Sequence, residues 1–196
     1  MLQQFRIKKD KERAYVKLKL YKDHLPTYLS IVDIGCGSGQ FSALLQDKGY
    51  AVTAVDVTDK TNTDKITPAI YNGKKLPLQS ESFDISMLIT VLHHCPDPEQ
   101  VFTEAVRVSR KRLFILEDVY NNWMMKRLTW LMDSLMNLEF KGHPHSNKSE
   151  TEWEKLFKQH HLRVVYKKRV SILYIFTQVV YVLDKENGTG ISANKH

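Results

Sequence analysis

The stretch Ile31-Val32-Asp33-Ile34-Gly35-Cys36-Gly37-Ser38-Gly39-Gln40-Phe41 constrains this chain more than any other. Apolar residues run into an aspartate, three glycines alternate, and helical periodicity begins at once with Phe41, Leu44 and Leu45. That order predicts a buried strand, a tight turn free of side chains, and a helix start. Alternating glycines let a backbone take φ > 0 and approach a ligand closely. Ser38 is the expected N-cap of a helix beginning near Gln40.

A dinucleotide-binding turn has the form Gly-x-Gly-x-x-Gly, its last glycine packing the helix against the strand. Here Gly35, Gly37 and Gly39 alternate, and Gln40 occupies that last position. The pattern Asp33-x-Gly35-x-Gly37-x-Gly39 resembles motif I of the class I S-adenosylmethionine-dependent methyltransferases. The ligand chemistry agrees with that choice. A pyrophosphate suits a helix N-terminus, whereas S-adenosyl-L-methionine has no phosphate and carries a sulfonium and an ammonium, which suit an acid beside the turn.

The second strand, Ala51-Val52-Thr53-Ala54-Val55-Asp56, ends on an acid about twenty residues after the turn, the spacing at which a β-α-β unit offers a carboxylate to ribose hydroxyls. Val57 follows, placed to pack on adenine. After a short third strand within Ile66 to Tyr71, the run Asn72-Gly73-Lys74-Lys75-Leu76-Pro77-Leu78 leads to Ser82-Phe83-Asp84. It is similar to the Asp-Ala-x-x-Leu-Pro-Phe…Ser-Phe-Asp pattern of the type 11 small-molecule methyltransferases. In those relatives the leading aspartate meets the adenine amino group, and Asn72 stands in its place. An amide can accept from that amine or donate to a ring nitrogen.

Phe83 to Ile89 is a near-continuous apolar run, as expected of a parallel strand buried on both faces. It ends in Thr90-Val91-Leu92-His93-His94-Cys95-Pro96-Asp97, which resembles the family's Leu-His-His and Pro-Asp segment. Ligands bind at strand carboxyl ends in open α/β sheets, so Thr90 is expected beside the methyl donor. His93 and His94 are candidate bases or walls of its pocket. A helix over Pro98 to Ser109, a loop at Arg110-Lys111-Arg112 and a fifth strand over Leu113 to Leu116, running out in Glu117-Asp118, complete the portion that resembles the family, roughly residues 30–118. The resemblance implies a cofactor set of Asp33, Gly35, Cys36, Gly37, Gly39, Asp56, Val57, Asn72, Gly73 and Thr90.

Residues 121–140 read as a helix with Met124, Leu128, Leu131, Leu135 and Leu138 on one stripe, widened by Met125, Trp130, Met132 and Met136. Methionine-rich faces adapt to irregular apolar shapes. This helix is a lid over an apolar acceptor, an ordinary packing helix or a dimer contact. His143 and His145 follow in an entrance loop and are further candidate bases. Ser149-x-x-Glu152 has the form of a capping box opening a helix to His161. Leu162 to Val170 and Leu173 to Leu183 read as the last two strands.

With 196 residues the chain is long enough for one domain with a real core. We divide it as a methyltransferase domain over 1–184, with a basic helix at 1–25, a lid-like insertion at 119–148 and a flexible tail at 185–196. No apolar run reaches membrane-span length. Cys36 and Cys95 are too few for a disulfide framework and lack metal spacing, so no metal is expected and the cytoplasm is the default location. The net charge is +7, and residues 1–22 carry most of it, with eight Lys/Arg against Asp10 and Glu12. A solvated helix face is the favoured reading of that excess, with nucleic acid the less favoured partner.

The expected fold is α/β: a Rossmann-like, seven-stranded, mostly parallel sheet, its last strand antiparallel, with helices on both faces. The expected activity is methyl transfer from S-adenosyl-L-methionine to a small, apolar acceptor by a monomer or homodimer. An RNA methyltransferase and a non-catalytic cofactor-binding module are the alternatives.

Overall fold

The computed structural model describes residues 1–27, 29–119, 148–172 and 176–186. Among these, seven strands form one sheet: β1 (Ser30–Ile34), β2 (Ala51–Asp56), β3 (Ala69–Ile70), β4 (Phe83–Ile89), β5 (Ser109–Val119), β6 (Leu162–Ile172) and β7 (Phe176–Lys185). Their spatial order is β3-β2-β1-β4-β5-β7-β6. Neighbours from β3 to β5 run parallel, while β7 runs antiparallel to both β5 and β6. The order reverses between β1 and β4, so the carboxyl ends of those strands flank a switch-point crevice.

Helices cover both faces. α1 (Leu2–Tyr21) and α2 (Gln40–Asp47) lie on one side, where Tyr21, Phe41 and Leu45 pack against Ile31, Met87, Phe114 and Val180. α3 (Pro98–Val108) and α4 (Glu150–Gln159) lie on the other, where Phe102, Trp153 and Phe157 meet Val32, Leu88, Ile115 and Tyr181. Neighbouring residues of β5 divide between the two faces, Leu113 and Ile115 to one and Phe114 and Leu116 to the other. This is the period of two that a strand imposes. The two helices beyond β2 begin on side-chain caps. Asp97 accepts from the Gln100 N–H, and Ser149 and Glu152 close the reciprocal capping box that their spacing predicts.

Three expectations change. The helix after the glycine turn is capped by Gly39 in the left-handed conformation (φ 72°), not by the Ser38 side chain. A Cβ there would lie 3.1 Å from methyl carbons of both Thr61 and Thr63, so glycine meets a steric as well as a conformational requirement. The third strand shrinks to two residues, Ala69 and Ile70. Arg110-Lys111-Arg112 is not a loop but the first part of β5. These charges are tolerated in a strand because each has a partner. Arg112 bonds Asp184 of β7 through two contacts of 2.6 and 3.0 Å, and Arg110 and Lys111 flank Asp84 at 3.6 and 3.3 Å.

The predicted helix over 121–140, and with it the lid, lies outside the described residues, as do His143, His145 and the tail beyond residue 186. No helix among the described residues is long and apolar enough to cross a membrane.

Phe157 is fully buried, with ring centroids 5.0 Å from Tyr181, 5.7 Å from Phe102 and 6.1 Å from Trp153. Phe157→Ala empties the centre of that cluster and is expected to cost about 3–5 kcal/mol. Chemical denaturation should show a lower midpoint at unchanged slope.

Candidate functional site

The turn between β1 and α2 is held from below. The Gly35 and Cys36 N–H groups donate to the Val55 carbonyl at 2.7 and 3.3 Å, extending the β1–β2 pairing past the strand end. The Gly39 N–H donates to the Cys36 carbonyl at 3.0 Å, closing the turn. A Cβ on Gly35 would sit 2.1 Å from Cγ2 of Val91, so the loop after β4 seals against backbone and leaves no room for any side chain. At Gly37, by contrast, a Cβ would meet nothing within 4 Å. The middle of the turn therefore faces open space.

Asp56 completes the turn. Its Oδ2 accepts from the Gly37 N–H at 2.8 Å and its Oδ1 from the Val57 N–H at 2.7 Å. A carboxylate has about four lone-pair sites, so this half-buried group keeps acceptor capacity at the end of β2. Asp33 is different. Its carboxyl is buried beneath the turn, accepting the Ser42 hydroxyl at 2.5 Å, and burial pushes its pKa up. It acts on the site from below, without a face open to a ligand. The Cys36 side chain is likewise turned inward, among Ala43, Ala54 and Ile66, and burial raises its thiol pKa.

Asn72 uses its carbonyl locally. Oδ1 accepts from the Lys74 and Lys75 N–H groups at 3.0 and 3.1 Å, which assigns the amide orientation and leaves the NH2 for anything bound beside it. A Cβ on Gly73 would lie 3.5 Å from Val57 Cγ1, so these two residues are neighbours, with Val57 exposed. The following Leu76-Pro77-Leu78 segment is pinned to α3. Glu104 accepts from the Leu76 N–H at 2.8 Å, and Arg107 donates to the Leu78 carbonyl at 2.9 Å. Arg107 in turn bonds Glu104 and holds its carboxyl below the usual range.

At the end of β4, Thr90 adopts φ 59°. A β-branched residue in the left-handed region is strained by about 1–3 kcal/mol, and such strain clusters at functional sites. The Thr90 N–H donates to the Leu116 carbonyl at 2.7 Å and its hydroxyl to the Ile89 carbonyl at 2.6 Å. Just beyond, the Leu92–His94 turn is built on Glu117 of β5. This fully buried carboxylate accepts from the Val91 and Leu92 N–H groups at 2.9 and 2.7 Å and from His93 Nδ1 at 2.6 Å. Because the carboxylate only accepts, Nδ1 carries the proton. His93 is buried, while His94 is exposed and stacks obliquely on it with ring centroids 4.0 Å apart.

The turn, Ile89 and Thr90 form the floor of a cleft of about 380 Å³. Its roof comes from α1, whose Arg6, Asp10, Arg13 and Lys17 all line it. Lys17 reaches to 3.5 Å from the Thr90 hydroxyl, and burial lowers its pKa. The structure thus brings Gly35, Cys36, Gly37 and Thr90 into one cavity. Asp56, Val57, Asn72 and Gly73 lie on the open surface that continues it. The sequence reading missed α1 as a wall. The available signal was the i, i+4, i+7, i+11 spacing of Arg6, Asp10, Arg13 and Lys17 beside the apolar stripe Ile7, Ala14, Leu18 and Tyr21.

Residues 32–115 match the Methyltransf_11 family model, described as a methyltransferase domain. A ubiquinone biosynthesis O-methyltransferase of Caulobacter vibrioides is 32% identical over 81 residues, covering 36% of this chain and 32% of that protein. One from Idiomarina loihiensis is 27% identical over 82 residues, covering 36% of this chain and 34% of that protein. The aligned stretch thus spans about a third of these curated relatives. Among solved structures, the chain partnering the Trm112 methyltransferase activator in a Haloferax volcanii complex superposes with a TM-score of 0.72 at 17% identity, covering 92% of this chain and 93% of that one. A Synechocystis magnesium protoporphyrin IX methyltransferase with bound S-adenosylhomocysteine gives 0.66 at 14% identity, covering 90% and 84%. At such identities the likeness carries the fold. The fold is thus that of these methyltransferase structures, and the stretch that bears the glycine turn, Asp56 and the β4 end is similar to the Methyltransf_11 methyltransferase domain.

Proposed function

We propose that this chain transfers a methyl group from S-adenosyl-L-methionine to a small-molecule acceptor, with the cofactor lying across the glycine turn from Asn72 to Thr90. The observation that carries the reading is the Asp56 carboxylate, fixed by the Gly37 and Val57 N–H groups beside a turn whose centre is open. Asp56 takes the ribose hydroxyls, Val57 and Gly73 flank the adenine, and the Asn72 NH2 donates to an adenine ring nitrogen. Gly35, Cys36 and Gly37 offer backbone to the amino-acid portion, while the buried Asp33 beneath favours its positive charges. The cofactor supplies a methyl carbon already activated by a sulfonium.

The protein's part is alignment and exclusion of water. Well-oriented reactants reach effective molarities on the order of 10⁵–10⁸ M, so a displacement at an activated carbon does not require a strong base. His93 is engaged by Glu117 and braces the β4 turn. Exposed His94 is the described histidine better placed to take a proton from an acceptor. The methionine-rich sequence over 121–140 supports an acceptor with an apolar body.

Calorimetric titration of S-adenosylmethionine and NAD into the full chain tests this directly. S-adenosylmethionine should bind and NAD should not, and Asp56→Ala should weaken binding about 100-fold, as expected for losing two hydrogen bonds to a charged group. Failure of a folded sample to bind S-adenosylmethionine would contradict the proposal. Asn72→Asp keeps the acceptor for Lys74 and Lys75 but removes the NH2 that faces the adenine ring nitrogen, so affinity should fall about fivefold. Unchanged or tighter binding would remove that donor from the adenine site.

A further inference from the structure

The cleft is layered by charge. Asp33 is buried beneath its floor and Asp56 lies beside it, and the charged groups that α1 contributes to its roof are Arg6, Arg13 and Lys17 with a single acid, Asp10. Lys60, from the loop after β2, adds a fourth cation at the rim. Asp10 is already occupied, accepting from Asn62 Nδ2 at 2.9 Å and lying 3.8 Å from Arg13. Among the described residues no carboxylate lies within 4.0 Å of Arg6, Lys17 or Lys60. Lys17 lies deepest. Its ammonium is drawn in from water, and its hydrogen bond among the described residues is to a neutral hydroxyl, 3.5 Å away, while the carboxylates that attract it, Asp33, Glu117 and Asp10, all lie beyond contact distance.

A desolvated cation that lacks a contacting anion is unfavourable unless a ligand provides one. On the reading proposed above, the cofactor brings one carboxylate, which a single cation satisfies, together with a sulfonium and an ammonium that suit the acidic floor. The roof then holds more positive charge than the cofactor can use. We propose that α1 builds an anion subsite into the cleft, so that the acceptor is a small molecule bearing a carboxylate or a phosphate. Arg6 and Arg13 grip that anion at the mouth, and Lys17 stands between it and the cofactor. Guanidinium groups suit the task, since their planar fork matches either oxyanion. This rests on the methyltransferase reading for the word acceptor, but the anion subsite itself does not.

The test is titration of the full chain at low ionic strength with inorganic phosphate and with benzoate, each with and without saturating S-adenosylhomocysteine. Two double variants remove equal charge: Arg6→Ala with Arg13→Ala from the roof, and Lys8→Ala with Lys19→Ala from exposed positions of the same helix. Saturable anion binding is expected, weakened about tenfold or more by the roof pair and by less than about twofold by the outer pair. Tighter binding of benzoate than of phosphate, or the reverse, identifies which anion the acceptor carries. The absence of saturable binding by either anion, or equal losses in the two variants, would overturn the subsite. If S-adenosylhomocysteine fails to bind while the anions bind as expected, the methyltransferase reading fails and the subsite stands.

Discussion

The buried carboxylate of Glu117 is the contact on which the site's geometry depends. A charge withdrawn from water is tolerated only when donors surround it, and this one receives two backbone N–H groups and an imidazole N–H from the turn after β4. The three bonds tie the ends of two neighbouring strands together. They fix Val91 where it closes on Gly35, and so hold the glycine turn flat against the β4 end. Thr90, between strand and turn, takes up the strain in a left-handed conformation. Glu117 thus serves as the joint between scaffold and site.

From that joint the chemistry spreads in two directions. Toward β2, backbone and the Asp56 carboxylate present hydrogen-bonding groups along an open surface, suited to a nucleoside. Toward α1, the surface closes into a cleft under a cationic helix. The helix is seated by Tyr21, which is fully buried edge-on against Phe114 at 5.0 Å. Burial of one stripe of α1 in the core therefore sets the position of the adjacent charged stripe over the cleft. Packing and specificity share one helix, and neither can be changed without regard to the other.

Much of the fold was legible because strand burial leaves a direct imprint. The bounds of β1, β2 and β4 follow the apolar runs that end in Asp33-Ile34, Asp56 and Ile89. β5 was read short because Arg110, Lys111 and Arg112 resemble a loop until Asp84 and Asp184, distant in sequence, are brought beside them. The left-handed cap at Gly39 was hidden for a similar reason, since the methyl groups that crowd it belong to Thr61 and Thr63. Of the residues expected to meet a cofactor, the turn, Asp56 and Thr90 lie close together. Asn72 differs in role, because half of its amide is spent on its own loop. The basic helix carried the opposite lesson: its net charge was plain in the sequence, but only packing shows which cations face the cleft.

The most direct test of the account is backbone-amide chemical-shift mapping of the full chain with S-adenosylhomocysteine. The account predicts a contiguous set of perturbed amides at Gly35 to Gly39, Asp56 and Val57, Asn72 and Gly73, and Thr90, with the outer strands β6 and β7 unmoved. Shifts centred elsewhere on the sheet, or none at saturating ligand, would contradict the assignment of the cofactor to the glycine turn.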